Sequence, residues 1–254
     1  MELPFQKMHG LGNDFIILDA TKSPIPLNAT QIRQLSDRHY GIGCDQLVLI
    51  KPSNHADVLV EFYNADGSES GACGNATRCV ADLTGASTIE TKAGILQCRK
   101  VGDQIEVNMG RPHSFSKNVE VANEFGLPAA QLVDVGNPHC VFFLEEISLA
   151  EAKKIGPQIE HHSLFPNRTN VEFVKVLSAT HVEQIIWERG VGITNACGSG
   201  ACATGYAAYK NGLCGNEVTV QLASGALHIR IDETDTIFMT GPSAHVFSGT
   251  IQLL

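Results

Sequence analysis

The chain has 254 residues, of which 43% are hydrophobic and 18% charged, and its formal net charge is −9 at pH 7. This composition is typical of a globular protein with one or two apolar cores. The acidic balance, without a cluster of basic residues, argues against nucleic acid as a partner. The N-terminus carries charges and no continuous apolar stretch, so we expect no signal peptide, no membrane span and a cytoplasmic location.

The pattern of apolar residues predicts strands and helices in a repeated order. In the first half, strands are predicted over 14–19, 47–50 and 58–63, followed by a turn at 64–67 and a helix over 75–83 that Gly85 ends. In the second half, strands are predicted over 141–144, 171–176 and 182–187, with a helix over 199–211 before Gly212. Further strands are predicted over 218–222, 227–231 and 236–239, and the polar stretch 111–118 is predicted to be a linker.

Two halves of the chain repeat one another. Ala72-Cys73-Gly74-Asn75 recurs 124 residues later as Ala196-Cys197-Gly198-Ser199. The same offset places Asn13 on Asn137, Gln46 on Asn170 and Asn64 on Glu188. Beyond the cysteines the offset becomes 131, as in Gly94 and Gly225. This slip predicts an insertion of about two helical turns in the second half, or a deletion from the first.

Eight cysteines are present, and in the cytoplasm they are expected as thiols. No two are separated by only two residues, so neither a redox motif nor a paired metal motif is predicted. The glycine-rich stretch 9–14 lacks the third glycine of a dinucleotide site and precedes a strand. Six cysteines are interpreted as buried and inert, namely Cys44, Cys79, Cys98, Cys140, Cys202 and Cys214.

Cys73 and Cys197 are different, because each begins a predicted helix in the repeated Ala-Cys-Gly pattern. A helix N-terminus is expected to lower the pKa of a thiol toward neutrality and to bind a carboxylate on its free amides. Two such cysteines on opposite sides of one carbon invert it, since one removes the proton and the other returns one. The backbone amides would stabilise the carbanion-like intermediate without a cofactor. These residues predict an epimerase.

The motifs together resemble the diaminopimelate epimerase family over nearly the whole chain. The stretches that carry the resemblance are 7–15, 43–46, 63–69, 72–75, 136–140, 169–171, 187–190 and 196–203. The resemblance implies conversion of LL-2,6-diaminopimelate to the meso form, with no cofactor and no metal. It also implies an α+β fold of two pseudo-symmetric halves, each a curved, mostly antiparallel sheet or barrel around a central helix. The active site would lie in the cleft between the halves, which are predicted to be 1–113 with 242–254, and 114–241.

The resemblance also implies roles for individual residues. Cys73 and Cys197 would be the acid/base pair, and His139 and Glu188 would tune protonation beside them or at the substrate ammonium. The reacting carboxylate would lie on Gly74, Asn75, Gly198 and Ser199. The remaining substrate groups would be held by Asn13, Gln46, Asn64, Asn137, Asn170 and Arg189, with Arg189 gripping a carboxylate. The resemblance also implies a homodimer, in which Phe247 matches an aromatic position of the contact, although a core position for Phe247 is nearly as plausible.

Two departures from the family pattern concern Ile193, where many members have glutamate, and the segment 82–88, which is short as though the first helix had lost about two turns. His161 and His162 are expected to face solvent.

Three alternative functions stay open: a racemase of the same fold for histidine or hydroxyproline, a non-catalytic binder of a small zwitterion, and a cysteine-based redox sensor.

Overall fold

The computed structural model describes residues 2–252, which form eighteen strands and five helices. The predicted sheet-dominated α+β class is therefore confirmed. The chain divides into two compact units: unit 1 comprises Met1–Val107 and Gly241–Leu254, and unit 2 comprises Asn108–Thr240. The predicted bounds of the homologous halves stay a prediction.

The elements follow one another in a repeated order. The strands are β1 (Glu2–Gly10), β2 (Asn13–Asp19), β3 (Gln46–Lys51), β4 (Val58–Asn64), β5 (Glu69–Ser70), β6 (Thr88–Thr91), β7 (Gly94–Val101), β8 (Gln104–Gly110), β9 (Ser114–Asn118), β10 (Ala130–Asp134), β11 (Pro138–Leu144), β12 (Asn170–Ser178), β13 (His181–Glu188), β14 (Gly192–Ile193), β15 (Glu217–Leu222), β16 (Gly225–Ile231), β17 (Ile237–Gly241) and β18 (Ala244–Gln252). The helices are α1 (Ala29–Ser36), α2 (Gly74–Thr84), α3 (Glu120–Phe125), α4 (Leu149–Glu160) and α5 (Gly198–Lys210).

Strand pairing repeats between the two units. In unit 1, β2 pairs parallel with β3, β3 antiparallel with β4, and β4 parallel with β6. In unit 2, β11, β12, β13 and β15 pair in the same order and with the same senses. The registers also agree: Phe15 lies opposite Gln46, and His139 lies opposite Asn170, 124 residues further on. The repeat predicted from the sequence is thus present in the backbone pairing.

The predicted insertion of two helical turns is wrong. Ile89 lies opposite Leu96, and Val220 lies opposite Leu227, so the later offset of 131 is real. However, α2 has 11 residues and α5 has 13, so the helices account for only two of the seven extra residues. The others lie in the longer connection before β15 and in the earlier start of that strand. A loop absorbs added residues at little energetic cost, which a buried helix does not.

The stretch 111–118 is also not a simple linker, because its second part is β9. This strand pairs antiparallel with β10 along Ser114 to Asn118. Three of its five residues are exposed, so it needs few apolar side chains, and its polar composition resembles that of a loop. The hydrogen bonds to β10 stabilise it instead.

Each unit has an apolar core to which a helix contributes, α1 in unit 1 and α4 in unit 2. The core of unit 1 includes Phe5, Ile16 and Leu47, and that of unit 2 includes Phe142 and Phe173. Helix α5 is rich in glycine and alanine, and a Cβ at Gly205 would lie 2.8 Å from the Ile229 side chain of β16. Small residues therefore let this helix lie close against its own sheet. Helix α5 therefore fixes the position of Cys197, the residue that precedes it.

Candidate active site

Cys73 and Cys197 occupy the same structural position in their units. Each is the N-cap residue, in extended conformation, of α2 and α5 respectively. The carbonyl oxygen of Cys73 accepts from the Thr77 N–H at 2.9 Å, and that of Cys197 accepts from the Ala201 N–H at 3.0 Å. The prediction that both cysteines begin helices is confirmed. Their thiols thus lie where a helix presents unpaired N–H groups and partial positive charge.

Asn13 and Asn75 adjoin Cys73. Asn13 Oδ1 accepts from Asn75 Nδ2 at 3.1 Å and lies 3.9 Å from Cys73 Sγ. Asn13 Nδ2 donates to Asp45 Oδ2 at 2.9 Å. Because a carboxylate only accepts, Asp45 fixes the direction of the Asn13 amide and turns its oxygen toward the thiol. Asn75 is buried, and its own Oδ1 has no hydrogen-bond partner among the described residues.

Charged residues behind Asn13 hold Asp45 in place. Arg38 Nη2 bonds both Asp45 Oδ1, at 2.8 Å, and Asp14 Oδ1, at 2.7 Å, and Lys7 Nζ donates to Asp14 Oδ2 at 2.6 Å. Burial opposes ionisation of Asp14, but the bonds from Arg38 and Lys7 hold the pKa of its carboxyl well below the usual value. Sequence reasoning missed this group, although Asp14 and Asp45 stand next to predicted site residues in the quoted motifs.

Gln46 and Asn64 face each other across β3 and β4. Gln46 Nε2 donates to Asn64 Oδ1 at 2.9 Å, and Asn64 Nδ2 donates to Ser68 Oγ at 3.0 Å. Both amides are half-buried. Unit 1 therefore brings Asn13, Cys73 and Asn75 into one contacting group, while Gln46 and Asn64 form a second.

The thiol of Cys197 is surrounded by polar groups of its own unit. Its Sγ accepts from the Gly200 N–H at 3.4 Å and lies 3.5 Å from Ser199 Oγ. The Ser199 hydroxyl oxygen accepts in turn from Asn137 Nδ2 at 3.3 Å. Glu188 at the end of β13 hydrogen-bonds Cys197 and, closely, Thr194 Oγ1. Predicted site residues are thus brought together in unit 2.

The expected fall of the Cys197 pKa toward neutrality is wrong for this arrangement. Burial raises the pKa of the Cys197 thiol well above the usual value, and the nearby Glu188 and Glu172 carboxylates add to the rise. Hydrogen bonds from Ser199 and Gly200 lower it only in part. Loss of solvation outweighs the helix terminus here, because Cys197 is nearly inaccessible to water, at 7% exposed.

His139 is held between two residues. Its Nδ1 lies 2.5 Å from Glu172 Oε1, and its Nε2 lies 3.0 Å from Asn137 Oδ1. The side chains of His139 and Glu172 are both fully buried. Sequence reasoning missed Glu172; its signal was a charged residue between the apolar Val171 and Phe173 in the strand Asn170–Ser178.

The Asn170 side chain hydrogen-bonds the backbone of Arg189. Asn170 Oδ1 accepts from the Arg189 N–H at 3.0 Å, and Asn170 Nδ2 donates to the Pro138 carbonyl at 2.9 Å. Arg189 itself is exposed, with Nη1 donating to the Asn167 carbonyl at 3.2 Å. The buried Glu160 accepts from the Gly190 N–H at 2.8 Å and so secures this turn. Asn170 therefore positions the backbone that carries Arg189.

Several other sequence predictions can be compared with the structure. The six cysteines interpreted as inert are all buried, as predicted. Ile193 packs against the core of unit 2, and it pairs with Trp187 across β13 and β14. The expectation that His162 faces solvent is wrong: its side chain is 8% exposed, lies between Phe125 and Phe165, and bonds Glu124. His161 is exposed, as expected.

Phe247 lies on β18, opposite Lys7 of β1. It is 46% exposed, and its ring packs edge-on against Phe5 with centroids 5.8 Å apart.

Within residues 2–252 we find no group of three or more histidine, cysteine, aspartate or glutamate side chains arranged to hold a metal ion. No helix in the same range is both long and apolar enough to cross a membrane.

The fold is shared with solved structures of low sequence identity. A PhzF-family phenazine biosynthesis protein from Bacillus anthracis matches with a TM-score of 0.75 and 16% identity, covering 100% of both chains. A probable proline racemase from Agrobacterium radiobacter matches with a TM-score of 0.72 and 14% identity, covering 99% of this chain and 93% of the other. These likenesses define the class: the two-domain α+β fold of PhzF-like proteins and proline racemases.

Sequence comparison identifies the family within that class. The diaminopimelate epimerase family model matches residues 5–115 and 131–246. A diaminopimelate epimerase from Gluconobacter oxydans is 45% identical, over 98% of this chain and 99% of its own length. One from Rhodospirillum centenum is 44% identical, over 97% and 91%. The chain belongs to the diaminopimelate epimerase family and is an isomerase.

Proposed function

We propose that this protein interconverts LL-2,6-diaminopimelate and meso-2,6-diaminopimelate by a two-base mechanism that uses no cofactor. The observation that carries the proposal is the equivalence of Cys73 and Cys197. Each caps a buried helix at the same point of a repeated fold, and each thiol adjoins the amide group of an asparagine or the hydroxyl of a serine. Inversion of a carbon needs two proton-transfer groups of this kind, one for each face.

In the proposed reaction one sulfur removes the α-proton as a thiolate, and the other donates a proton as a thiol. The high pKa of Cys197 favours its acting first as the acid, so Cys73 would act as the base in that direction. The reverse direction exchanges these roles. Catalysis requires an arrangement in which both sulfurs flank a single α-carbon of the substrate.

The amides at the two helix starts would bind the reacting carboxylate, which carries the developing charge. Gly74 and Asn75 follow Cys73, and Gly198 and Ser199 follow Cys197. The backbone N–H groups in the first turn of a helix lack partners inside that helix. Donors fixed in place before the reaction stabilise the carbanion-like state without reorganisation.

The other substrate groups would be held by the amides of both units and by Arg189. The substrate has two ammonium and two carboxylate groups, so it needs both acceptors and donors. A guanidinium is suited to the distal carboxylate because it can bind both oxygens. The residues proposed for these contacts are Asn13, Gln46, Asn64, Asn137, Asn170, Glu188 and Arg189.

Incubation with LL-diaminopimelate in heavy water, without added cofactor, tests the proposal. We expect the meso isomer to appear with deuterium at the inverted carbon, as followed by chiral chromatography and mass spectrometry. Parallel incubations use proline and trans-4-hydroxyproline, because structural neighbours include a probable proline racemase and a hydroxyproline epimerase. Histidine is added because a histidine racemase of the same fold is one of the alternative functions. Turnover of one of these, with diaminopimelate inert, would replace the substrate assignment. Binding without exchange in any of them would refute an epimerase.

We further propose a cytoplasmic homodimer whose contact includes Phe247. The supporting observation is the exposure of neighbouring apolar side chains on β18, where Val246 is 53% and Phe247 46% exposed. Exposed apolar side chains of this kind are stabilised when a partner covers them. Sedimentation of the protein and of Phe247→Ser tests this: we expect a dimer that the substitution weakens. A dimer equally stable in both would place the contact elsewhere.

A further inference from the structure

Glu172 is a buried carboxylate to which the proposed reaction assigns no role. It lies on β12 between Val171 and Phe173, and its side chain is 0% exposed. An isolated buried charge is strongly destabilising, so such a group needs a partner. The partner is His139 on the neighbouring strand β11, with Nδ1 2.5 Å from Glu172 Oε1.

A continuous series of contacts leads from this pair to Cys197. His139 Nε2 lies 3.0 Å from Asn137 Oδ1, and Asn137 Nδ2 lies 3.3 Å from Ser199 Oγ. Ser199 Oγ lies 3.5 Å from Cys197 Sγ. Four contacts therefore connect the carboxylate to the sulfur, all within unit 2.

While Glu172 is ionised, the donors and acceptors in this series have two consistent directions. Glu172 as a carboxylate can only accept, so His139 carries a proton on Nδ1. In the first direction Nε2 is also protonated and donates to Asn137 Oδ1. Asn137 Nδ2 then donates to Ser199, whose hydroxyl proton is left to point at Cys197 Sγ, as suits a thiolate. In the second direction the Asn137 amide is turned over, His139 is neutral, and Ser199 donates to Asn137, as suits a thiol at Cys197.

We propose that Glu172 is a positioning residue that, by fixing the His139 proton on Nδ1, couples the protonation of His139 to that of Cys197 through Asn137 and Ser199. A protonated His139 ring accompanies the Cys197 thiolate, and a neutral ring accompanies the thiol. No proton travels through the amide: the two groups exchange protons with solvent or substrate, and the net charge of the site stays constant. The inference rests on the proposed function, because that function makes Cys197 an acid and base.

Other titratable groups lie near Cys197 and Glu172 and affect the direction in which the Cys197 pKa should change. They are Glu188 on β13 and Cys140 on β11, besides Glu172 itself. Burial raises the pKa of Glu172, and the charge of His139 opposes that rise. Acting directly on Cys197, the Glu172 carboxylate raises the thiol pKa. Acting through His139, the carboxylate lowers the thiol pKa, because it stabilises the protonated ring that accompanies the thiolate. The direct and the coupled effects therefore have opposite signs.

The test measures the pKa of Cys197 in Glu172→Gln and in Ser199→Ala. The rate of iodoacetamide alkylation is followed against pH, with the Cys197 peptide resolved by mass spectrometry. Glutamine cannot sustain the protonated ring, so we expect the Cys197 pKa to rise by about one unit, with about tenfold slower alkylation at a given pH. Ser199→Ala should give the same rise with Glu172 intact, and the double variant should add nothing further.

Glu106→Gln is the matched control. Glu106 is another buried carboxylate paired with a cation, Arg99, at 2.5 Å, but it belongs to unit 1. We expect it to leave the Cys197 pKa unchanged. Nitrogen-15 chemical shifts of the His139 ring give a second measurement, with Nδ1 protonated in the parent protein and a smaller fraction of doubly protonated ring in Glu172→Gln, because a neutral amide does not stabilise the imidazolium.

A fall in the Cys197 pKa of Glu172→Gln would show that the direct charge effect governs, and it would overturn the proposal. Additive effects of the two substitutions, or an unchanged pKa in Ser199→Ala, would also overturn it. Neither the alkylation rate of Cys197 nor the nitrogen-15 shifts of His139 depend on turnover of a substrate. A protein inactive on diaminopimelate would refute the proposed function and leave this coupling to be decided by its own result.

Discussion

Replacing either Cys73 or Cys197 with alanine is expected to lower kcat by about 10³-fold or more while the protein stays folded. One sulfur cannot both remove a proton from one face of a carbon and return one to the other. The remaining cysteine retains a proton-transfer group for one face only. We therefore expect slow exchange of the α-hydrogen with heavy water from one isomer, without inversion. Coupled chromatography and mass spectrometry measure exchange and inversion separately.

Cys79→Ala and Cys202→Ala are the controls for this experiment. Each lies in the helix that the corresponding site cysteine caps, and both are fully buried. Removing a buried sulfur is destabilising, but it should leave inversion intact below the melting temperature. Equal loss of activity in the control variants would show that packing, rather than proton transfer, explains the effect. Inversion retained without Cys73 or Cys197 would refute the two-base mechanism.

Replacing Glu188 with glutamine is expected to lower kcat by about 10²-fold or more and to change the pH profile. Glu188 hydrogen-bonds Cys197, and its charge raises the pKa of that thiol. Burial also raises the pKa of Glu188 itself. Without the carboxylate, the Cys197 pKa falls, so a smaller fraction is the thiol needed to donate a proton at a given pH. In the direction that uses Cys197 as the acid, the alkaline limb of kcat should move to lower pH.

The opposite direction gives an internal check. There Cys197 acts as the base, so its acidic limb should also move to lower pH in Glu188→Gln. Thr194→Val serves as the control, because it removes the hydroxyl that bonds Glu188 and keeps the carboxylate. We expect its pH profile to move less than that of Glu188→Gln, because the carboxylate remains although the lost hydrogen bond no longer lowers its pKa. A Glu188→Gln profile that moves to higher pH would contradict the assigned influence of this carboxylate on Cys197.

The local structure around the cysteines could be predicted because its signals are local in sequence. The apolar runs gave β3, β4, β12 and β13 to within a few residues, and Gly85 ends α2 in a left-handed conformation, as expected. Helix starts depend on the few residues that precede and follow them. The repeat offset also predicts equivalent positions for Asn13 and Asn137, and for Gln46 and Asn170.

Long-range pairing escaped prediction where the strand is polar or short. Strand β9 has the polar composition of a linker because most of its residues face solvent, and β14 has only two residues. Such strands are stabilised by backbone hydrogen bonds to a partner distant in sequence, which leave no mark in side-chain pattern. The prediction that the later repeat offset comes from extra helical turns was wrong for a related reason. Counting residues gives the total added length but does not show whether it belongs to a loop or to a helix.

The sequence by itself determined that two cysteines lie at helix starts, in a repeat whose register the strands reproduce. Only the tertiary structure decided their electrostatic environment. Glu172 reaches His139, and Asp45 reaches Asn13, across sequence separations that no motif spans. Burial of Cys197 reversed the expected direction of its pKa, because solvation depends on everything packed around an atom, whereas a motif records only its neighbours along the chain.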